Sequence, residues 1–165
     1  MEEKIYYTDG SCRGNPGPGG WGVVSLDKDV IKEFYSGTEN YTTNNRMELT
    51  AILFVTRIAA ENPHTNYIIY SDSAYCVNAI NNWMRGWAAN GWKNSKNRTI
   101  ENEDLIKLLW SYFSKPFFNV EVRKVVGHGN ILGNELADRL ATNNENGFKD
   151  LIKLNSLHLY YKIEE

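Results

Sequence analysis

The chain has 165 residues, 42% hydrophobic and 23% charged, with 18 Lys and Arg against 20 Asp and Glu. That length suits one domain with a single core, and the apolar fraction is too high for a disordered chain. No apolar run nears the roughly 20 residues of a membrane span, and Met1-Glu2-Glu3-Lys4 has neither part of a signal peptide, so a soluble, cytoplasmic protein is expected. Two cysteines, Cys12 and Cys76, exclude a disulfide scaffold and a four-cysteine zinc site. The net charge of −2 hides an asymmetry: residues 73–100 hold Arg85, Lys93, Lys96 and Arg98 and no acid, leaving 14 basic against 20 acidic residues elsewhere. A local positive patch on an acidic body is a sharper sign of a phosphate-bearing partner than the pI.

Lys4 to Thr8 reads as a strand that stops at Asp9-Gly10 and opens into a glycine-rich loop, Gly14 to Gly20. Trp21–Leu26 and Val30–Ser36 are two more β-like segments, which makes the first third an antiparallel meander. From Asn45 the period becomes helical through Met47, Ala51, Phe54, Val55 and Ile58, with Asn45 and Glu48 as a capping pair and Asn62-Pro63 as the stop. Tyr67-Ile68-Ile69-Tyr70 predicts a strand buried on both faces, followed by Asp72. Residues 73–98 carry weak helical patterns broken at Gly86 and Gly91, a helix is predicted over 101–114, and a last strand over 117–126. Gly127-His128-Gly129 and Gly133 form a loop before a helix over 134–142. The tail at 157–161 reads equally as a packed segment or a strand. Strands followed by alternating helices and strands give an α/β domain with a mixed sheet.

Asp9 and Asp72 each follow a predicted strand. If those strands are parallel neighbours, as a helical crossover requires, the two carboxylates nearly meet. Two such charges about 4 Å apart repel by ~1 kcal/mol in water and by several times that in a drier cleft, which calls for a proton or a cation between them. Glu48 and Asp138 can converge on the same place, and hard oxygen ligands favour Mg²⁺ or Mn²⁺ over zinc. Taken singly, each acid also has a plain structural reading as a turn, a cap or a solvated face.

Tyr7-Thr8-Asp9-Gly10-Ser11, Thr43-Asn44-Asn45-Arg46-Met47-Glu48, Ser71-Asp72-Ser73, and Gly127-His128-Gly129 followed by Gly133-Asn134-Glu135-Leu136-Ala137-Asp138 resemble, in order and spacing, the motifs of type 1 ribonuclease H. The resemblance runs from about Lys4 to Asn143, so residues 1–143 are taken as the domain and 144–165 as an extension of unknown role. It implies the ribonuclease H-like fold, a five-stranded mixed sheet flanked by helices. It implies an endonuclease that hydrolyses the RNA strand of RNA–DNA hybrids with little sequence preference, through two Mg²⁺ ions with Mn²⁺ as a substitute, leaving 5′-phosphate and 3′-hydroxyl ends. Asp9, Glu48, Asp72 and Asp138 are then metal ligands, and His128 moves protons or assists product release. The resemblance places Cys12, Asn15, Asn44, Asn45 and Glu135 at the RNA strand and Thr43 and Asn102 at a DNA phosphate. It makes about 81–100 a basic protrusion in which Trp83 and Trp87 pack on DNA sugars while Lys93, Lys96 and Arg98 hold phosphates. Trp92 reads as core, and His64 and His158 as ordinary surface or packing residues. A monomer is expected. The alternatives are a hybrid-binding module without catalysis and a DNA-acting relative of the same fold.

Overall fold

Alternation along the first strand sets the layers. In the computed structural model, which describes residues 2–125, 132–142 and 162–163, β1 (Glu3–Cys12) points Tyr6 into one buried cluster and Tyr7 towards another, the two-residue period of a strand covered on both faces. β1, β2 (Gly17–Asp27) and β3 (Val30–Thr42) form the expected antiparallel meander. α1 (Asn44–Ala60) then crosses over to β4 (Asn66–Ser71), which pairs parallel to β1, and β5 (Val120–Lys124) pairs parallel to β4. The result is the five-stranded mixed sheet in the order β5-β4-β1-β2-β3, to which a two-residue strand, β6 (Lys162–Ile163), adds along the Val30–Ile31 end of β3.

Between β4 and β5 the chain winds through α2 (Ala74–Asn78), a π-helical turn at Ala79–Trp83, α3 (Met84–Ala89) and α4 (Glu103–Phe113). A fifth helix, α5, covers residues 132–142. The larger apolar cluster joins Tyr6, Val23 and Ile69 to Leu49, Ile52 and Val55 of α1 and to Ile106 and Leu109 of α4. On the other face Val24 and Ile31 meet Leu136 and Leu140 of α5. Trp92 packs against the larger cluster, as its core reading requires.

Several boundaries differ from the sequence expectation for local reasons. The glycine-rich run is not an open loop: Ser11 pairs with Gly20 and Cys12 with Gly19, so β1 continues past Asp9 and the turn shrinks to residues 13–16. Thr43, not Asn45, caps α1, its hydroxyl accepting from the Arg46 N–H at 3.2 Å. Glu48 therefore lies beyond the first turn and takes no part in the cap. The last strand begins at Val120 because Phe117 adopts φ 56° and is fully exposed, while the Asn119 amide donates to the carbonyls of Ala59, Asn62 and Thr65 at 2.8–3.0 Å, tying the end of α1 to the start of β5. The Gly127-His128-Gly129 loop, the 157–161 tail and all of the extension except Lys162–Ile163 lie outside the described residues. Among the described residues no helix is long and apolar enough to cross a membrane.

Candidate metal centre and nucleic-acid interface

The parallel register of β1 and β4 runs as far as Thr8 opposite Ser71. There β4 stops while β1 goes on. Asp9 is thus inside its strand, not at its end, but it is the first residue past the parallel pairing, and Asp72 occupies the same level one residue beyond β4. Alternation turns Asp9 to the α5 face and Gly10 to the α1 face. A Cβ on Gly10 would stand 2.4 Å from the backbone nitrogen of Glu48 and 2.6 Å from the carbonyl carbon of Met47. The missing side chain lets α1 lie on the strand, so that Glu48 reaches past the end of β4 from the opposite face. Asp9, Glu48 and Asp72 each bring one carboxylate oxygen within 4.8 Å of the others.

Asp138 arrives from α5 by the same device. Gly22 is the antiparallel partner of Asp9, and a Cβ there would stand 2.6 Å from the carbonyl oxygen of Ala137 and 2.8 Å from the nitrogen of Ala141. Gly20, two residues earlier on the same face, is equally close to the carbonyl oxygen of Ala141. The helix backbone rests on bare strand, and the exposed Asp138 comes close enough to Asp9 to perturb its carboxyl, although it is not one of the three acids whose oxygens lie within 4.8 Å of one another.

Burial decides the electrostatics. Asp9 is 5% exposed and Glu48 8%, whereas Asp72 is exposed. Desolvation pushes the Asp9 carboxyl well above the usual carboxylate range, and the nearby Asp72 and Asp138 push it further. Glu48 is raised more strongly, first by burial and then by the charge on Asp9. Its Oε2 is buried without a hydrogen-bond partner, an arrangement that costs free energy unless a cation meets the oxygen. A group of acid oxygens with an orphaned acceptor fits a hard divalent ion. The nearby Cys76 thiol is pushed up to about 12 by burial, with Glu48 and Asp72 adding to the shift, and it is not among the side chains whose ligand atoms converge.

Of the residues assigned to the RNA strand, Cys12, Asn15, Asn44 and Asn45 gather at one corner. The Asn44 N–H donates to the Asn15 Oδ1 at 2.8 Å, and the Cys12 thiol donates to the Thr42 carbonyl at 3.2 Å. These bonds bring the β1–β2 turn to the N-terminus of α1, where Thr43 and Asn45 sit. Glu135 lies on α5 one turn before Asp138.

On the other side of α1, the Arg46 guanidinium grips Asp104 with two bonds of 2.9 and 2.8 Å, holding the first turns of α1 and α4 together. Thr43 and Asn102 therefore head adjoining helices. The Asn102 Nδ2 donates to the Tyr75 hydroxyl at 3.1 Å. Sequence reasoning singled out neither Tyr75 nor the Arg46–Asp104 fork, and it missed the close-packing roles of Gly10 and Gly22. Arg46 lies inside the quoted Thr43–Glu48 motif, but a pair 58 residues apart leaves no periodic trace.

In the protrusion Trp83 is 41% exposed and its ring meets those of Tyr75 and Trp87 at 6.3 and 5.8 Å. Trp87 is half-buried against the core. The Lys93 Nζ donates to the Thr99 hydroxyl at 3.2 Å. Lys96 and Arg98 are exposed on a turn in which the Asn94 Oδ1 accepts both their backbone N–H groups. His128 lies outside the described residues.

The sequence pattern of the RNase H family matches residues 1–146. The chain is 46% identical over 144 residues to the ribonuclease H of Syntrophomonas wolfei, covering 87% of this chain and 96% of that one. It is 48% identical over 142 residues to that of Symbiobacterium thermophilum, covering 86% and 93%. Among solved structures it is similar to LC9-RNase H1, described as a type 1 RNase H with the type 2 active-site motif, with a TM-score of 0.74, 28% identity, and 99% and 87% of the two chains covered. The solution structure of the PFV RNase H domain matches with a TM-score of 0.72 and 26% identity over 86% and 93%.

Proposed function

Since this chain belongs to the RNase H family, we propose that it is an endonuclease that hydrolyses the RNA strand of RNA–DNA hybrids by two-metal-ion chemistry, leaving 5′-phosphate and 3′-hydroxyl ends. The observation that carries the reading is the convergence of buried Asp9 and Glu48 with exposed Asp72, with the Glu48 Oε2 unpartnered. Asp9, whose carboxyl is perturbed by Glu48, Asp72 and Asp138, would be the ligand common to two Mg²⁺ ions, for which Mn²⁺ is the natural substitute. Asp138 would then serve the ion on the nucleophile side, and Glu48 and Asp72 the ion on the leaving-group side. When bound, such a pair activates the attacking water and offsets the charge that builds on the departing 3′ oxygen.

The chain's own residues supply the rest. His128 moves a proton at the reacting phosphate or helps release the product, tasks to which an imidazole is suited. Asn15, Asn44 and Asn45, with Cys12 beside them and Glu135 reaching from α5, read the 2′-hydroxyl, which donates as well as accepts and so separates RNA from DNA. Thr43 and Asn102 take a DNA-strand phosphate at two adjoining helix ends, where the helix dipoles favour an anion. Trp83 and Trp87 pack on DNA sugars while Lys93, Lys96 and Arg98 hold phosphates without sequence choice. The protein acts as a cytoplasmic monomer in this reading.

The test is one assay with end-labelled RNA–DNA hybrid, duplex DNA and duplex RNA, each with Mg²⁺ and with EDTA. Metal-dependent cutting confined to the RNA strand of the hybrid, and lost in Asp9→Asn and Asp72→Asn, is expected. Binding without cutting would support a non-catalytic module, and equal cutting of all three duplexes a different nuclease.

A further inference from the structure

An asparagine at the head of a helix ordinarily turns its side chain onto the helix's own free N–H groups. Asn102 does not. It holds a left-handed backbone, φ 58° and ψ 31°, and makes no side-chain capping bond to α4. Its amide reaches instead to α2, where Nδ2 donates to the Tyr75 hydroxyl at 3.1 Å. That bond is not needed to hold α4, because the Arg46–Asp104 fork already ties the first turn of α4 to α1 and Ile106 and Leu109 are fully buried beneath it. What it fixes is the rotation of one amide. Tyr75 is itself well seated: it lies in the first turn of a helix capped by Ser73, it packs against the larger core cluster, and its ring meets that of Trp83.

We propose that Tyr75 is a positioning residue, whose hydroxyl holds the Asn102 amide in the orientation that grips a DNA-strand phosphate. This rests on the reading of Asn102 as a DNA-strand contact. The amide nitrogen carries two hydrogens. One is spent on Tyr75, and the other is held ready to donate to a phosphate oxygen beside Thr43. Without the hydroxyl, Asn102 is free to fold back and cap its own helix, and the site must reorder it at each binding event.

The experiment is a cycle of Tyr75→Phe, Asn102→Ala and the double variant, read as KM and kcat on a hybrid and as the thermal unfolding midpoint. Tyr75→Phe keeps the ring and its packing, so the midpoint should move by no more than about 2 °C. It should raise KM roughly three- to tenfold, the worth of one ordinary hydrogen bond, with kcat within about twofold of the parent. In the Asn102→Ala background the same change should add nothing. An equal rise of KM in both backgrounds would show that Tyr75 acts independently of Asn102 and overturn the proposal. A rise with Asn102→Ala but none with Tyr75→Phe would overturn it while leaving Asn102 as a phosphate ligand. No rise with Asn102→Ala would remove that role, and the proposal with it.

Discussion

Glu48 carries an acid across the end of the sheet into a place that water barely reaches, and its neighbour Asp9 is as deeply set. Burial first, and then a neighbouring charge, Asp72 for Asp9 and Asp9 for Glu48, raises both carboxyls in the metal-free protein. In the unfolded chain both titrate near 4, so from that pH up to the raised values the folded state holds more protons than the unfolded state. Stability contributed by these groups is therefore complete below about pH 4 and is lost as pH rises through the raised folded values. Asp9→Asn removes one of the competing charges. Urea unfolding in EDTA should find this variant more stable than the parent at pH 8 by about 1–3 kcal/mol, with the gap closing towards pH 4, while hybrid cleavage falls by ~10²–10³-fold or more. A gap independent of pH would mean that the acids do not strain one another. The same protons must leave when a divalent ion enters. Calorimetric Mg²⁺ titrations in two buffers of different ionisation enthalpy should show net proton release at pH 7, and apparent affinity should rise with pH. Equal heats in the two buffers would contradict the raised carboxyls.

Glycines in β1 and β2 set how closely the helices approach, and thereby the spacing of the acids. A methyl at Gly10 meets backbone atoms of Met47 and Glu48, and one at Gly22 meets backbone atoms of α5; neither neighbour is a flexible side chain that can swing away. Gly10→Ala should cost about 1–3 kcal/mol by overpacking and displace Glu48, and Gly22→Ala should displace Asp138 in the same way. Both should lose cleavage at fixed Mg²⁺ while keeping the far-ultraviolet circular dichroism of the parent, and activity equal to the parent in Gly10→Ala would show that α1 can retreat without cost. Much of this scale is legible in the sequence. The continuous apolar run at Tyr67–Tyr70 and the 3.6-residue period from Met47 to Ile58 suffice to place β4 and α1, because buried faces leave a periodic trace. The four motif acids are legible as chemistry, but the depth of Glu48 is not: the Asn45–Glu48 spacing mimics a cap, and only the sheet's end shows that Glu48 turns inward. The length of β1 is hidden because glycines carry no pattern, although Gly19 and Gly20 complete the pairing. Tyr75 and Asp104 stay hidden because their partners are distant in sequence.

Across the whole molecule, a net charge of −2 is the sum of +4 in residues 73–100 and −6 in the rest of the chain, which includes the converging acids. The protrusion's cations differ in kind. Lys93 is hydrogen-bonded to Thr99, and the Arg85 guanidinium lies over the Trp110 ring at 5.8 Å. Lys96 and Arg98 are exposed on a turn whose backbone Asn94 fixes, so these two charges face solvent from anchored backbone positions. If they meet phosphates, each releases condensed counterions on binding, and affinity must fall with salt in proportion to the number of phosphates neutralised. Lys96→Ala with Arg98→Ala should raise KM at low salt and flatten the dependence of log KM on log salt by roughly 0.7–0.9 for each phosphate no longer neutralised, with kcat at saturation unchanged. Trp83→Ala should raise KM too, yet leave the slope as it was, because packing an indole on a sugar displaces no counterions. The two slopes together separate charge from surface. A slope unaltered by removal of both cations would mean that no phosphate lies against them, and that the hybrid is held by the helix ends and the indoles alone.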